Sequence, residues 1–364
     1  MAAIDGKPGL ALIVGSGFSA EARLPTTADL SKRFLTAPLG EILSTDLEES
    51  ISAILRHFWQ YVFNFTGTEP PSLEDHFTVL DLAANSGHHL GREYPPKRLR
   101  AIRRMSIHRI FQLLDLEFTR SAAIEELLDK LGEHFDLSLV NLNWDIVAER
   151  HIRRGIHYGI EVARLDDTFV RDDGVTLLKL HGSSNWVYCD CCHRVYGGTE
   201  KSALHRRAFL EVSDFESFEG LVGIDMDKVE DELGDVGLRR CGCCGNTMAG
   251  RVATFSYRKA FSINQFQTIW DRAHEVMSRA NTWLFVGYSM PEADFEFRHL
   301  LKSAQLARRE PSDWKCEVVL KGDAAAGCRY MRFFGMDPGG ICQTGMKDWV
   351  RGCLDTFCRT RGLT

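Results

Sequence analysis

Apolar residues fall along this chain in two rhythms. Leu10 to Val14 is an unbroken apolar run that ends at Gly15, which predicts a strand buried on both faces and a helix from about Ser19. Runs at Leu137 to Leu142, Leu177 to Leu180, Thr282 to Val286 and Glu317 to Leu320 predict further strands. Between residues 27 and 134 the spacing becomes helical. Leu47 to Phe65 carries apolar residues three and four apart, Ser72 stands where it would cap a helix beginning Leu73-Glu74-Asp75, and Pro95-Pro96 precedes an amphipathic stretch to about Thr119. Helical spacing returns from about Ser262 to Arg279 and again from Glu292, and two helices are expected after the last strand. Strands alternating with helices predict an α/β fold, a doubly wound and mostly parallel sheet covered on both faces, with a helical insertion at about 27–134.

Length and composition narrow this picture. A chain of 364 residues accommodates one large α/β domain with insertions or two modest ones. Apolar content of 44% and charged content of 26% are ordinary for soluble globular chains. No stretch approaches the ~20 apolar residues that cross a bilayer, so no membrane role is expected. The N-terminal run reads as a buried strand rather than a signal peptide, so the expected location is cytoplasmic. A net charge of −6 gives no global reason to expect nucleic acid as a partner. The basic run Lys97, Arg98, Arg100, Arg103 and Arg104 either contacts phosphates or forms a solvated helix face or subunit contact. Glu211 to Asp235, with ten carboxylates and one lysine, reads as a mobile loop or short helices on the surface.

Four predicted strand ends carry polar or glycine clusters. The first opens Gly15-Ser16-Gly17-Phe18-Ser19-Ala20, a glycine turn whose backbone N–H groups could approach a pyrophosphate. Ala20 stands where a third glycine of the dinucleotide fingerprint would be, and alanine is an accepted substitute there. The second is Leu142-Asn143-Trp144-Asp145, whose Asn and Asp either hold ribose hydroxyls and a carboxamide or cap a helix near Ile146. The third, Lys179-Leu180-His181-Gly182-Ser183, places on a turn a histidine that is either a general base or a hydrogen-bonded turn residue. The fourth is Gly287-Tyr288-Ser289-Met290. Ligands in doubly wound sheets bind beyond such strand ends.

The cysteines supply a separate signal. In a reducing compartment the eleven cysteines are thiols or metal ligands. Cys189-Asp190-Cys191-Cys192 and Cys241-Gly242-Cys243-Cys244 form two pairs able to place four thiolates on a tetrahedral zinc ion. The expected ligands are Cys189, Cys192, Cys241 and Cys244, with Cys191 or Cys243 as an exchangeable alternative. Four protein ligands leave no open position, so the zinc is expected to be structural. The wide gap between the pairs is accounted for by the acidic insertion.

Taken in order, Gly15 to Thr26, Asn143 to Asp145, Lys179 to Gly182, both cysteine pairs and Gly287 to Ser289 resemble the sirtuin-like family of NAD-consuming enzymes. The resemblance implies a Rossmann-like domain, in two parts at 1–182 and 253–364, and a small zinc module at 183–252, with NAD bound between them as substrate. It implies that Gly15, Ser16, Gly17 and Ser19 border the phosphates, that Asn143 holds the nicotinamide ribose and any attacking water, and that Asp145 binds the nicotinamide amide. It further implies that His181 acts on the ribose hydroxyls or steers the nucleophile, with Gly287 and Ser289 on the adenosine side. Departures separate this chain from the family's protein deacylases. Thr26-Thr27-Ala28 replaces their Asp-Phe-Arg run, Leu142 stands in place of a Gln, and Val252 to Tyr257 lacks their Phe-Gly-Glu substrate strand. Leu24-Pro25-Thr26, Asn143-Trp144-Asp145, Gly287 to Asp294 and Arg329-Tyr330 instead resemble the bacterial branch that includes NAD hydrolases of antiviral defence. That resemblance implies a homo-oligomer, dormant until triggered, with a sensor or ring-forming ATPase as a partner in trans. The alternatives are an NAD-dependent deacylase and a sensor that binds NAD or ADP-ribose without cleaving it.

Overall fold

The computed structural model describes residues 6–36, 42–85, 89–116, 118–163, 174–189, 191–197, 210–234, 240–246, 248–249, 264–308 and 314–362. Among these, β1 (Gly9–Val14), β2 (Asp136–Asn141), β3 (Ile156–His157), β5 (Val175–Lys179), β9 (Thr282–Val286), β10 (Lys315–Val319) and β11 (Ile341–Cys342) form one sheet, ordered β11-β10-β9-β1-β2-β5-β3. All pairings in it are parallel. The chain winds outward from β1 through β2 and β5, then crosses back to β9 on the other flank of β1. Strand order therefore reverses between β1 and β9, which is where doubly wound sheets open a crevice for ligands.

The unbroken apolar runs are explained by burial on two faces. Along β1, Leu10, Leu12 and Val14 enter one core, while Ala11 and Ile13 enter the other. The first core joins the sheet to the helical insertion: α2 (Thr27–Arg33), α3 (Thr45–Phe63), α4 (Leu73–Asn85), α5 (Pro96–Leu116) and α6 (Ala122–His134). The second joins it to α11 (Asn264–Arg279), α12 (Phe295–Leu306) and α13 (Ala324–Phe334). Local signals start the inserted helices as expected. Thr26 and Asp29 form a reciprocal capping box at α2, and Ser72 accepts from the Asp75 N–H at 3.0 Å. Inside the insertion, the wholly buried His76 accepts from Trp59 Nε1 at 2.9 Å, and its Nε2 lies 2.8 Å from Ser106 Oγ. That hydroxyl in turn donates to the Ile102 carbonyl, so the imidazole is neutral with its proton on Nε2.

Several expectations are corrected. The helix after β1 is a single turn, α1 (Ser16–Ser19), followed by a 3-10 turn at Ala20–Ala22 and left-handed Arg23. The predicted helix from Glu292 starts at Phe295, because Pro291 to Asp294 first make a turn. Three C-terminal helices follow β10, not two: α13, α14 (Met346–Gly352) and α15 (Leu354–Arg361), the last pair broken at Cys353. Ser262, the first residue of the helix predicted there, lies outside the described residues.

Of the two readings of the acidic segment, short helices hold for its described part. Its described part folds into α8 (Val212–Glu216), α9 (Glu219–Val222) and α10 (Met226–Leu233), with Phe215 and Phe218 fully buried; Asp235 lies outside the described residues. It docks on the helical insertion and takes up much of the basic run. Arg104 brackets the buried Asp214 carboxylate with two nitrogens, Lys97 pairs with Glu216 at 3.3 Å, and Arg98 donates to the Ser217 carbonyl at 2.7 Å while lying over the Phe218 ring. Arg103 turns instead to Asp81, and Arg100 is exposed. At the far end Glu232 accepts from Ser44 N and Oγ, and Lys228 pairs with Asp46. Neither a phosphate contact nor a subunit contact is needed to account for Lys97, Arg98 and Arg104.

A second sheet, ordered β4-β7-β6-β8, is built from β4 (Val162–Ala163), β6 (Trp186–Cys189), β7 (Val195–Gly197) and β8 (Met248–Ala249). It carries the cysteine pairs. Among the described residues no helix is long and apolar enough to cross a membrane.

Candidate active site and metal centre

Parallel registry aligns the four strand ends. Val14 pairs with Asn141 on one side and Val286 on the other, and Asn141 pairs with Lys179. The glycine turn, the Asn143 loop, the His181 loop and the Gly287 loop therefore leave the sheet along one edge, as the sequence motifs required.

Glycine is demanded here first by close packing of two turns. A Cβ on Gly15 would lie 2.7 Å from the Gly287 carbonyl oxygen, and one on Gly17 would lie 2.7 Å from the Gly287 Cα. Gly287 itself has a φ of +64°. The Gly15 N–H donates to the Val286 carbonyl at 3.2 Å and the Gly17 N–H to the Gly287 carbonyl at 2.9 Å. These two N–H groups, expected to serve a phosphate, are thus engaged within the protein. What the turn leaves half-exposed is Ser16 and Gly17, and α1 is too short to add much of a helix dipole.

Asn143 is fixed to this turn. Its Nδ2 donates to the Gly15 carbonyl at 2.8 Å and to Ser19 Oγ at 2.9 Å, which leaves Oδ1 as the acceptor end of the carboxamide. Its backbone N–H is held by Asn141 Oδ1 at 2.8 Å. His181 is buried, and its Nδ1 lies 3.0 Å from the Leu142 carbonyl. A carbonyl only accepts, so Nδ1 carries a proton and donates it. Asn143 and His181 are thereby brought together through the residue that separates Asn141 from Asn143. Asp145, the expected nicotinamide ligand, is buried and accepts at 3.0 Å from the N–H of Val147, the first residue of α7 (Val147–His151), whose N-cap is Ile146.

The Gly287 loop is braced from α13. Arg329 donates twice to the Ser289 carbonyl, at 3.1 and 2.9 Å, and Tyr330 donates to the Tyr288 carbonyl at 2.9 Å. Tyr288 donates to buried Asp294 at 2.8 Å, and Ser289 stays half-exposed.

Sequence reasoning missed two residues behind the site. Trp270 donates from Nε1 to the Leu180 carbonyl at 3.0 Å and sets its ring 6.2 Å from that of His181. Glu149 is wholly buried and lies 3.4 Å from Lys179 Nζ. Burial pushes its carboxyl above the usual range, and the Lys179 ammonium opposes that shift. The available signal was Lys179 itself, a lysine in an apolar strand, which requires an acidic partner.

In the small sheet, the Sγ atoms of Cys189, Cys192, Cys241 and Cys244 all lie within 4.8 Å of one another. Cys189 and Cys244 approach to 3.4 Å and Cys192 and Cys241 to 3.5 Å, against about 3.8 Å for thiolates on tetrahedral zinc. Two tight turns present them. His193 N–H donates to the Cys189 carbonyl at 2.9 Å and Gly245 N–H to the Cys241 carbonyl at 2.8 Å, with left-handed His193 and Gly245 closing the knuckles. Cys191 and Cys243 are exposed and outside the cluster, which resolves the alternative left by the spacing. Four crowded thiols cannot ionise together without a cation: burial pushes Cys192 well up, while the Asn246 N–H draws Cys244 down to about 6. A divalent zinc ion held by these four thiolates fits the cluster and would be structural.

No family model matches the chain, and no curated protein matches it. Among solved structures it is similar to a Sir2 homologue in complex with NAD, at 13% identity over 98% of this chain and 91% of the other, with a TM-score of 0.44. It is also similar to a mutant Sir2 homologue in complex with 2'-O-acetyl ADP ribose, at 12% identity over 99% and 95% with a TM-score of 0.43. A third is Sir2 bound to an acetylated peptide, at 13% identity over 99% and 96% with a TM-score of 0.42.

Proposed function

We propose that the chain binds NAD beyond the strand ends at the β1/β9 reversal and hydrolyses its nicotinamide–ribose bond, giving nicotinamide, ADP-ribose and a proton. The observation that supports this most is the fixing of Asn143. With both its N–H groups held by the first turn, its Oδ1 stands as a preorganised acceptor on the loop that His181 grips. Loss of nicotinamide develops positive charge on the ribose, and a fixed dipole aimed there stabilises it without reorganisation. The same oxygen orients an attacking water. His181, its Nδ1–H committed to Leu142, offers Nε2 to take the proton from that water or from a ribose hydroxyl. On this reading Ser16, Ser19 and the backbone of Gly15 and Gly17 border the pyrophosphate, Asp145 the nicotinamide amide, and Gly287 and Ser289 the adenosine side.

The preference for water over an acyl group as acceptor rests on the sequence Val252 to Tyr257, which does not carry the Phe-Gly-Glu run of protein deacylases and lies outside the described residues. The resemblance to the bacterial branch supports a role in antiviral defence, with the activity dormant until homo-oligomer assembly or a sensor or ATPase partner releases it.

Incubation of the purified protein with NAD, with nicotinamide followed by chromatography, tests the reading. Asn143→Ala is expected to lower kcat by about 10²- to 10³-fold, the usual loss for a preorganised transition-state dipole. Turnover only with an acylated peptide would replace hydrolysis by NAD-dependent deacylation. Tight nucleotide binding without products, including in the presence of partner proteins, would make the chain a sensor.

A further inference from the structure

The loop that carries Asn143 is strapped to the loop that carries His181 by three bonds to consecutive or near-consecutive carbonyls. His181 Nδ1 holds the Leu142 carbonyl at 3.0 Å, the Ser184 N–H holds the Trp144 carbonyl at 2.7 Å, and Lys179 Nζ holds the Asp145 carbonyl. The third strap differs in kind, being the charge-assisted one. Lys179 and Glu149 are wholly buried and lie 3.4 Å apart, and Glu149 also accepts from Ser183 Oγ at 3.3 Å. Lys179 is the last residue of β5, and His181 stands in the turn that follows, which the Gly182 N–H closes on the Lys179 carbonyl at 3.1 Å. Asp145 then accepts from the N–H of Val147, the first residue of α7, from which Glu149 returns to Lys179. The circuit closes on itself.

A buried ion pair is a poor way to add stability. Desolvating an ammonium and a carboxylate costs about as much as their attraction returns, and an apolar side chain at this position would match its neighbours Leu177, Leu178 and Leu180. What the pair supplies is a fixed direction: a lysine reaching one carbonyl, counterbalanced by an acid on the helix that the same loop begins.

We infer that Lys179 is a positioning residue that, with Glu149 as its counter-ion, locks the Asn143 loop onto the His181 loop so that the Asn143 carboxamide keeps its aim. The inference rests on the site reading given above, in which Asn143 and His181 do the chemistry. Releasing the Asp145 carbonyl frees one end of the loop, and a displacement of about 1 Å at a reacting group lowers a rate roughly 100-fold.

The test replaces the pair by neutral side chains of the same shape, Glu149→Gln with Lys179→Met, so that no buried charge is orphaned. The expected double variant is folded, its kcat for nicotinamide release falls about 100-fold and its KM stays within about threefold, because aim is lost and binding is not. Amide hydrogen exchange at residues 143–147 is expected to speed up at least tenfold while exchange in β9 does not change. A kcat within about threefold of the unaltered protein, or unchanged exchange at 143–147, overturns the inference. A measurement on the unaltered protein covers the case in which the double variant does not fold. Nitrogen-15 lysine NMR is expected to show one ammonium whose protons exchange slowly with water, lost in Lys179→Arg or reassigned by it; fast exchange at every lysine overturns the strap. If the unaltered protein releases no nicotinamide, in the presence of partner proteins as well, the hydrolase reading fails, and the exchange and NMR measurements still decide the role of Lys179.

Discussion

Replacing Gly287 by alanine tests whether the crevice is shaped by turns packed against each other. The new methyl group would lie 2.3 Å from Phe18 N, 2.4 Å from the Gly17 carbonyl carbon and 2.6 Å from Gly17 Cα. All three are backbone atoms, so no side chain can swing aside. The residue must also hold a φ of +64°, at a cost of about 1 kcal/mol for any residue with a Cβ. Overpacking against fixed backbone adds about 2 kcal/mol, for a total near 3 kcal/mol. For 364 residues the unfolding entropy is about 0.76 kcal/mol per degree, so Tm should fall by about 4 °C. Gly335→Ala is the control. Its φ is +67°, yet no atom lies within 4 Å of the added Cβ, so only the conformational cost of about 1 kcal/mol remains, near 1 °C. Differential scanning calorimetry on both variants at one pH, with zinc present, measures the contrast. The Gly287 variant should also lose NAD affinity by calorimetric titration, because the first turn must retreat, whereas the Gly335 variant should not. Equal losses of stability in the two would refute the argument from turn packing.

Three further outcomes follow from the geometry. Mass spectrometry of metals should find one zinc per chain, lost in Cys192→Ser or Cys241→Ser and kept in Cys191→Ser or Cys243→Ser, since only the former pair belongs to the thiolate cluster. Burial holds His76 down to about 3 in the folded state against about 6.5 when exposed. The neutral ring therefore contributes stability that is complete above pH 6.5 and lost as pH falls toward 3. Denaturation profiles should slope by up to about 1.4 kcal/mol per pH unit across that window, and His76→Gln should remove that part of the slope. Arg104→Ala should destabilise by about 2 kcal/mol, because it leaves Asp214 buried without its cation, whereas Lys97→Ala should change stability by about 0.5 kcal/mol or less, its pair with Glu216 being exposed. Urea denaturation distinguishes the two.

The main sheet strands were legible because the physics that buries them is local to the sequence. A strand covered on both faces needs only apolar residues, and Leu10 to Val14 or Thr282 to Val286 can be little else. The strand ends were legible for the same reason, since a polar residue just past such a run has left the core. The edge strands β3 and β11, two residues each, carry no period to read. The destination of the acidic segment was hidden because its anchor, Asp214, resembles its exposed neighbours until Arg104 is brought beside it by folding. Asp145 and the glycines show a different limit. Their residue types fit both a ligand and a local structural duty, and only the fold shows the duty: Asp145 holding the Val147 N–H where α7 begins, and Gly15, Gly17 and Gly287 letting two turns touch. The Glu149–Lys179 pair joins residues thirty positions apart, and nothing near Glu149 in the sequence marks it.

The docking of α8 to α10 has a thermodynamic consequence for the ion. Cys192 and Cys241 are 49 positions apart, and drawing the two knuckles together from a loose chain of that length costs about 0.9 kcal/mol more than over a finger of about 17 residues. Anchoring the intervening segment on α5 and α3 removes much of that penalty before any ion arrives, so part of the chelate effect resides in a helical layer that supplies none of the four ligands. Loosening Arg104 would then weaken the grip on zinc from a distance, and loading zinc would tighten the hold of Arg104 on Asp214 to the same degree.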